Sequence, residues 1–205
     1  MGLHLAGFDV VGVDILPLNV QPGLFEPPRD WYPFEFRQGD ALKADLRGFD
    51  LIWASPPCQA FTAYKRRAGH VAPRDNLIPV VREMLVATGT PYVIENVVGA
   101  PLIDPVTLCG SMFGLDVRRH RIFESSFPIK QLECNHSDNP RFAPAGNRTN
   151  LRSTVEVGVW RIPLETQHKA MGIDWMSLEA LSQSIPPAYS EFIGRAALAA
   201  MERAA

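Results

Sequence analysis

Apolar residues along this chain gather in short runs, separated by longer stretches with helical spacing, and each run ends close to a polar residue. Residues 8–15 (FDVVGVDI) read as a first strand, and 34–37 and 51–54 as a second and third. A helix is predicted over 76–88. Leu77, Val80, Val81, Met84 and Leu85 recur on one stripe there, Asp75 or Asn76 stands at the capping position, and Gly89 lies just beyond the end. Pro79 falls in the first turn, where its missing N–H costs little. Residues 92–95 read as a fourth strand and 121–124 as part of another. The tail 187–203 starts on proline and carries Tyr189, Phe192, Ile193, Ala196 and Ala200 along one face, which predicts a closing helix. Residues 124–165 break the rhythm: polar, irregular and rich in Asn, Pro and Arg, they read as an insert. Strands alternating with helices predict an α/β sheet.

Composition narrows the class. A chain of 205 residues with 46% apolar content fits one compact domain and is too apolar for disorder. A net charge of -2 gives no global attraction to nucleic acid, so any polyanion site must be a local patch. Three cysteines without a C-x-x-C pair argue against a disulfide framework and against a zinc ribbon. No apolar run approaches the roughly 18 residues of a membrane span, and the N-terminus lacks a signal-peptide layout. These features predict a soluble protein of a reducing, cytosolic compartment. Eighteen prolines cluster in the expected loops.

Chemistry-bearing residues follow the strands. Asp14 ends the first, Asp40 follows the second, Cys58 the third, and Glu95 ends the fourth. Turn preference explains any one of these acids. All four at the carboxyl ends of strands, where open α/β sheets bind ligands, read as an active site. In ASPPCQAFT (54–62), Pro56 and Pro57 stiffen the chain just before Cys58. A thiol placed there is a candidate nucleophile, and a nearby carboxyl such as Glu95 can hold or donate the proton that attack requires. A thiol protease would need a histidine base, but neither His70 nor His120 has a supporting pattern. A zinc deaminase would need H-x-E and P-C-x-x-C; no H-x-E occurs, and Phe61 stands where the second cysteine belongs. The P-loop, G-x-S-x-G and Rossmann fingerprints are absent too. Lys65, Arg66, Arg67 and Arg74 form one basic cluster, and Arg118, Arg119 and Arg121 another around His120; together they suggest a phosphate-lined cleft. Cys134-x-His136 with Cys109 could form a metal half-site, but the ligands are unpatterned. A surface loop with a free thiol is the better reading, and no metal is expected.

These residues resemble the DNA (cytosine-5) methyltransferases. Ser55-Pro56-Pro57-Cys58-Gln59-Ala60-Phe61 is similar to that family's nucleophile loop, Glu95-Asn96-Val97 to its ENV motif, and Arg119-His120-Arg121 to the end of its Q-x-R-x-R motif, with Val117 in place of the glutamine. Residues 8–14 resemble the strand ending in the acid that binds the cofactor ribose, Gly39-Asp40 the next cofactor element, and Ile185-Pro186-Pro187 with Phe192-Ile193-Gly194 the last motif, where Gln183 replaces the usual asparagine.

The resemblance implies the doubly wound, mostly parallel sheet of class I S-adenosylmethionine-dependent methyltransferases. It implies a catalytic domain over 1–123, a small target-recognition insert over 124–165, and a segment over 166–205 that returns to the catalytic domain. Cys58 would add to C6 of a cytosine flipped from duplex DNA, Glu95 would engage N3, and Arg119 and Arg121 would hold the base and loop. S-adenosylmethionine would bind through Asp14, Ile15, Asp40, Ala41, Pro57 and Gln183. Residues 60–74, with Gly69, resemble the loop that closes over DNA, and Arg141, Asn147, Arg148, Asn150 and Arg152 are the insert's candidate DNA contacts. A monomer in the cytoplasm of a bacterial or phage-infected cell is implied. The family's glycine-rich D-L-F-x-G-x-G-G loop and first strand are missing, and no G-x-G occurs anywhere. Either the true start lies upstream of Met1, which the intact internal motifs favour, or the chain is an inactive DNA-binding relic. An RNA substrate is the third reading, because the chemistry on cytosine is the same.

Overall fold

The structure, a computed structural model, describes residues 1–16, 34–61, 76–134 and 154–204. The basic residues at 65–67 and 74, Asp75, Gly69, His70, His136 and the five candidate DNA contacts of the insert lie outside the described residues. In chain order the elements are α1 (Gly2–Ala6), β1 (Val11–Asp14), β2 (Glu35–Gln38), β3 (Ile52–Ala54), α2 (Ile78–Thr88), β4 (Tyr92–Asn96), β5 (Val106–Leu108), β6 (Arg121–Ser125), α3 (Leu164–Met171), α4 (Leu178–Gln183) and α5 (Pro187–Ala204). The architecture is mixed α/β. The chain divides into two units: Met1–Lys43, Cys109–Arg119 and Leu132–Arg195 form the first, and Ala44–Leu108, His120–Gln131 and Ala196–Ala205 the second.

The first unit holds the two-stranded parallel sheet β1–β2, in which Asp14 lies opposite Gln38. β1 starts later than the apolar run predicts, and Phe8, the first residue of that run, belongs to the cap of α1. Gly7, at φ 112°, donates its N–H to the His4 carbonyl, and the Phe8 N–H goes to that of Leu3, so both amides serve as a helix cap. Glycine also sets how closely α1 meets α5, since a Cβ at Gly2 would fall 2.1 Å from the Pro187 carbonyl oxygen. The core of this unit consists of Val117, Ala170, Met171, Ile173 and Leu181, covered by Leu115, Val155, Val157, Trp175 and Met176. Most of these residues come from α3, α4 and the segments beside them, two helices that the periodicity did not predict. Gln167, fully buried, holds this region: its Oε1 accepts from Gly158 N–H (2.7 Å), and its Nε2 donates to the carbonyls of Val159 (2.9 Å) and Ile162 (2.7 Å). A buried amide satisfied this way costs little to bury and fixes the loop it bonds.

The second unit holds the sheet β3-β4-β6-β5. β3 and β4 are parallel, whereas β4–β6 and β6–β5 are antiparallel. Two of the four strand pairings described are therefore antiparallel, and the four-stranded sheet is mixed where a mostly parallel one was expected. β5 went unpredicted because its run of three residues follows closely on Pro101 and Pro105 and carries no periodic signal. α2 covers one face of the sheet through Val81 and Leu85, packed with Ile52 and Ile94, while Ile78 packs with Ala100 and Ile122. The stripe is rotated slightly from expectation: Ile78 is buried and Val80 is 45% exposed. Asn76 Oδ1 accepts the Ile78 N–H (3.0 Å), and Gly89 closes the helix at φ 67°. Among the described residues, no helix is long and apolar enough to cross a membrane.

Candidate active site

Strand direction brings the chemistry of the second unit together. Because β3 and β4 run parallel, with Ala54 opposite Ile94, the chain beyond Ala54 and the Glu95–Asn96 end of β4 leave the sheet at the same edge. Asn96, 1% exposed, joins them: its Nδ2 donates to the Pro56 carbonyl (2.9 Å), and its Oδ1 accepts the Val97 N–H (2.9 Å). Pro56 is buried and Pro57 exposed, so the two prolines have different roles, one anchoring the loop and one leading out of the core. Beyond them, the Cys58 carbonyl accepts the Phe61 N–H (2.8 Å), and the Phe61 ring packs against the cluster of Ile78, Ala100 and Ile122. Cys58 is half-buried and held on both sides, by a side chain bonded to Pro56 and by a ring seated in the core.

Glu95 needs a partner because an ionised carboxylate removed from water is costly unless paired. Arg121 supplies it, with Nε 3.2 Å from Glu95 Oε1 and side-chain exposures of only 17% and 12%. Sheet register explains the pairing. Glu95 lies opposite Phe123 on β6, and Arg121, two residues away along β6, shares that face. Arg121 Nη1 also donates to the His120 carbonyl (2.9 Å), which limits the rotation of the guanidinium. Trp53 and Phe123 stack edge-to-face with centroids 5.7 Å apart, and both belong to the face that carries Glu95.

The opposite face carries a structural counterpart. Glu124 is 3% exposed and takes Arg82 in a two-point pair, Nε to Oε1 and Nη2 to Oε2, each 2.7 Å. Glu124 Oε2 also accepts the Ile103 N–H (2.8 Å), and Arg82 Nη2 donates to the Pro101 carbonyl (3.0 Å). Burial by itself raises the Glu124 carboxyl, but Arg82, the Ile103 N–H and Tyr92 together outweigh it and leave the group below the ordinary carboxylate range. This network ties the loop after β4 to β6 and α2.

The cofactor candidates sit differently. Asp14 and Asp40 both lie at the carboxyl end of the β1–β2 pair, with Ile15 (67% exposed) beside the first and Ala41 opening a helical turn after the second. Asp14 Oδ1 accepts the Leu16 N–H (2.9 Å). Asp40 Oδ1 accepts the Leu42 N–H (3.0 Å), and its Oδ2 meets Lys43 Nζ at 3.2 Å; that N–H first, and then the ammonium, hold the Asp40 carboxyl below its usual value. Gln183, exposed, ends α4. Arg119 donates through Nη2 to the Ser182 carbonyl (2.5 Å), and its own carbonyl accepts the Tyr189 hydroxyl (2.7 Å). The structure thus groups Cys58, Glu95, Arg121 and Pro57 in the second unit, and Asp14, Ile15, Asp40, Ala41, Arg119 and Gln183 in the first.

Sequence reading named Asn96 only as part of a motif and missed that it fixes the cysteine loop. It gave Phe61 no role as an anchor and overlooked the Arg82–Glu124 pair. An asparagine and a glutamate inside apolar strands were the available signals, because buried polar groups require partners. No protein-family model matches the chain, and no curated protein matches it.

Proposed function

We propose that this chain is a DNA cytosine-5 methyltransferase built on the doubly wound fold of S-adenosylmethionine-dependent methyltransferases. One observation carries the reading: a buried carboxylate, Glu95, is oriented by Arg121 on the strand whose next residue, Asn96, fixes the loop that presents Cys58. A thiol and an oriented carboxylic group on one sheet edge suit addition to an electron-poor ring, because small displacements of an attacking atom are costly. Cys58, as the thiolate left once its proton has passed to water, forms a bond from sulfur to C6 of the flipped base as the C5–C6 double bond opens. Glu95, holding a proton at N3, stabilises the electron density that this addition pushes into the ring, and C5 becomes nucleophilic. S-adenosylmethionine, when bound, supplies the methyl group. Loss of the C5 proton to a base then breaks the C6–sulfur bond and returns Cys58.

Two carboxylates at the ends of adjacent parallel strands, Asp14 and Asp40, suit ligand hydroxyl and amino donors, as a ribose and an adenine present. Asp40 is kept ionised for that task by the Leu42 N–H and Lys43.

The reading is tested with duplex DNA carrying 5-fluorocytosine and with labelled S-adenosylmethionine. Fluorine cannot leave C5 as a proton does, so Cys58 stays bonded to C6 and a protein–DNA adduct should survive denaturation. Cys58→Ala should give neither adduct nor transferred label. A chain that binds DNA but neither S-adenosylmethionine nor the trap would support the relic reading. Label moving to tRNA in preference to duplex DNA would make RNA the substrate.

A further inference from the structure

Cys109 and Cys134, both in the first unit, have no role in methyl transfer, yet folding brings them together. Their sulfurs lie within 4.8 Å of one another. Cys109 is fully buried at the entry to the helical turn Gly110–Phe113 and its position is tightly set. Its N–H points to Met112 Sδ (3.3 Å), and its Sγ accepts the Ser111 hydroxyl (3.4 Å). A Cβ on the neighbouring Gly110 would fall 2.3 Å from the Val117 carbonyl oxygen, so the backbone here is packed against that strand-like segment without room to shift. Cys134 is exposed and reaches the same place from the start of the unit's third segment, Leu132–Arg195.

We propose that Cys109 and Cys134 form a thiolate pair that binds a thiophilic divalent cation, with zinc as the best fit. Zinc–sulfur bonds of about 2.3 Å in tetrahedral geometry place two thiolates roughly 3.8 Å apart, within reach of the observed arrangement. A disulfide would need the sulfurs drawn to about 2.05 Å. Binding releases both thiol protons and forms two zinc–sulfur bonds, with water or further donors completing the coordination. The Ser111 hydroxyl bonded to the Cys109 sulfur is the kind of outer partner that orients a metal-bound thiolate. The cation would tie residue 134, where the insert leaves the described fold, to the turn at 109.

The full 205-residue chain, purified without chelators and then loaded with zinc or with cobalt alone, gives the test. About one equivalent of zinc should survive gel filtration, and cobalt should show a sulfur-to-metal charge-transfer band. Cys134→Ser, at an exposed position, should keep its circular dichroism spectrum yet lose the band and bind zinc at least about tenfold more weakly. Cys58→Ser should retain both. Absence of retained metal in the native chain, a cobalt band unchanged in Cys134→Ser, or a Cys109–Cys134 disulfide in the freshly reduced and desalted protein would each overturn the proposal.

Discussion

The two parallel strand pairs, β1–β2 and β3–β4, place acids at their carboxyl ends in opposite ways. Asp14 and Asp40 bond within their own turns, to amides two residues on, and remain open to water. Glu95 and Asn96 are buried and bonded to groups far away in sequence, Arg121 and the Pro56 carbonyl. An exposed acid that caps its turn needs no ligand to explain it. A buried carboxylate facing a guanidinium, beside an anchored cysteine, is a larger commitment for a fold to keep, since replacing such pairs with apolar residues is often neutral or stabilising. The second unit therefore carries the argument for chemistry, and the first carries the argument for cofactor only through the resemblance of its residues.

Substitutions can break or sharpen this contrast. Glu95→Gln should have the largest effect, lowering methyl transfer by about 10²–10⁴-fold, because an amide cannot pass a proton to N3. Single-turnover rates on duplex DNA, compared with the melting temperature, will separate lost chemistry from lost fold. A transfer rate within a factor of two of the native chain would remove Glu95 from the mechanism.

Glu124→Gln, on the other face of the same sheet, should cost stability and leave any methyl transfer by the folded chain unchanged. Breaking a buried pair strands Arg82 and costs about 3 kcal/mol at neutral pH. The dependence on pH has a definite sign. The folded Glu124 carboxyl lies below its unfolded value, so its contribution is present above about pH 4.3 and is lost as pH falls through the lowered folded value. Urea unfolding from pH 7 downward should show the native and Glu124→Gln curves converging in acid. A gap independent of pH would rule out the ionised pair as its source.

Asn96→Ala should cost about 1–3 kcal/mol, because the Val97 N–H loses its partner and the Pro56 carbonyl its donor. It should also loosen the cysteine loop, which the rate of Cys58 alkylation by iodoacetamide will report. Unchanged alkylation and unchanged transfer would mean that Phe61 alone holds the loop. Asp40→Asn should have the smallest effect on the fold, with no measurable change in melting, since its side chain is partly open to water and bonds only within its own turn. Calorimetry with S-adenosylhomocysteine should nonetheless show affinity reduced by about tenfold or less. Equal affinity would leave the first unit's acids as turn residues only.

Much of the element order could be read in advance. Among the described residues, five of the six strands were anticipated within a few residues, because each carries a short β-branched or aromatic run. α2 and α5 were anticipated from proline at their starts and apolar spacing, with Gly89 closing α2. α3 (LETQHKAM) and α4 (LEALSQ) were not, because they are short and polar and present few apolar residues each; packing around Val117 holds them, more than propensity does.

Sequence alone determined which residues are candidates for chemistry: one cysteine stiffened by two prolines, one glutamate ending a strand, and arginines near the start of another. These are local facts of residue type and spacing, and local rules reach them. Only the tertiary structure decided that Glu95 takes Arg121 while Glu124 takes Arg82, that Asn96 reaches back to Pro56, and that Cys109 and Cys134 meet. Those partners follow from strand register and from which face a side chain occupies. Because successive residues of a strand alternate faces, neighbours such as Phe123 and Glu124 enter different surroundings, and spacing in sequence says nothing about who waits on each side.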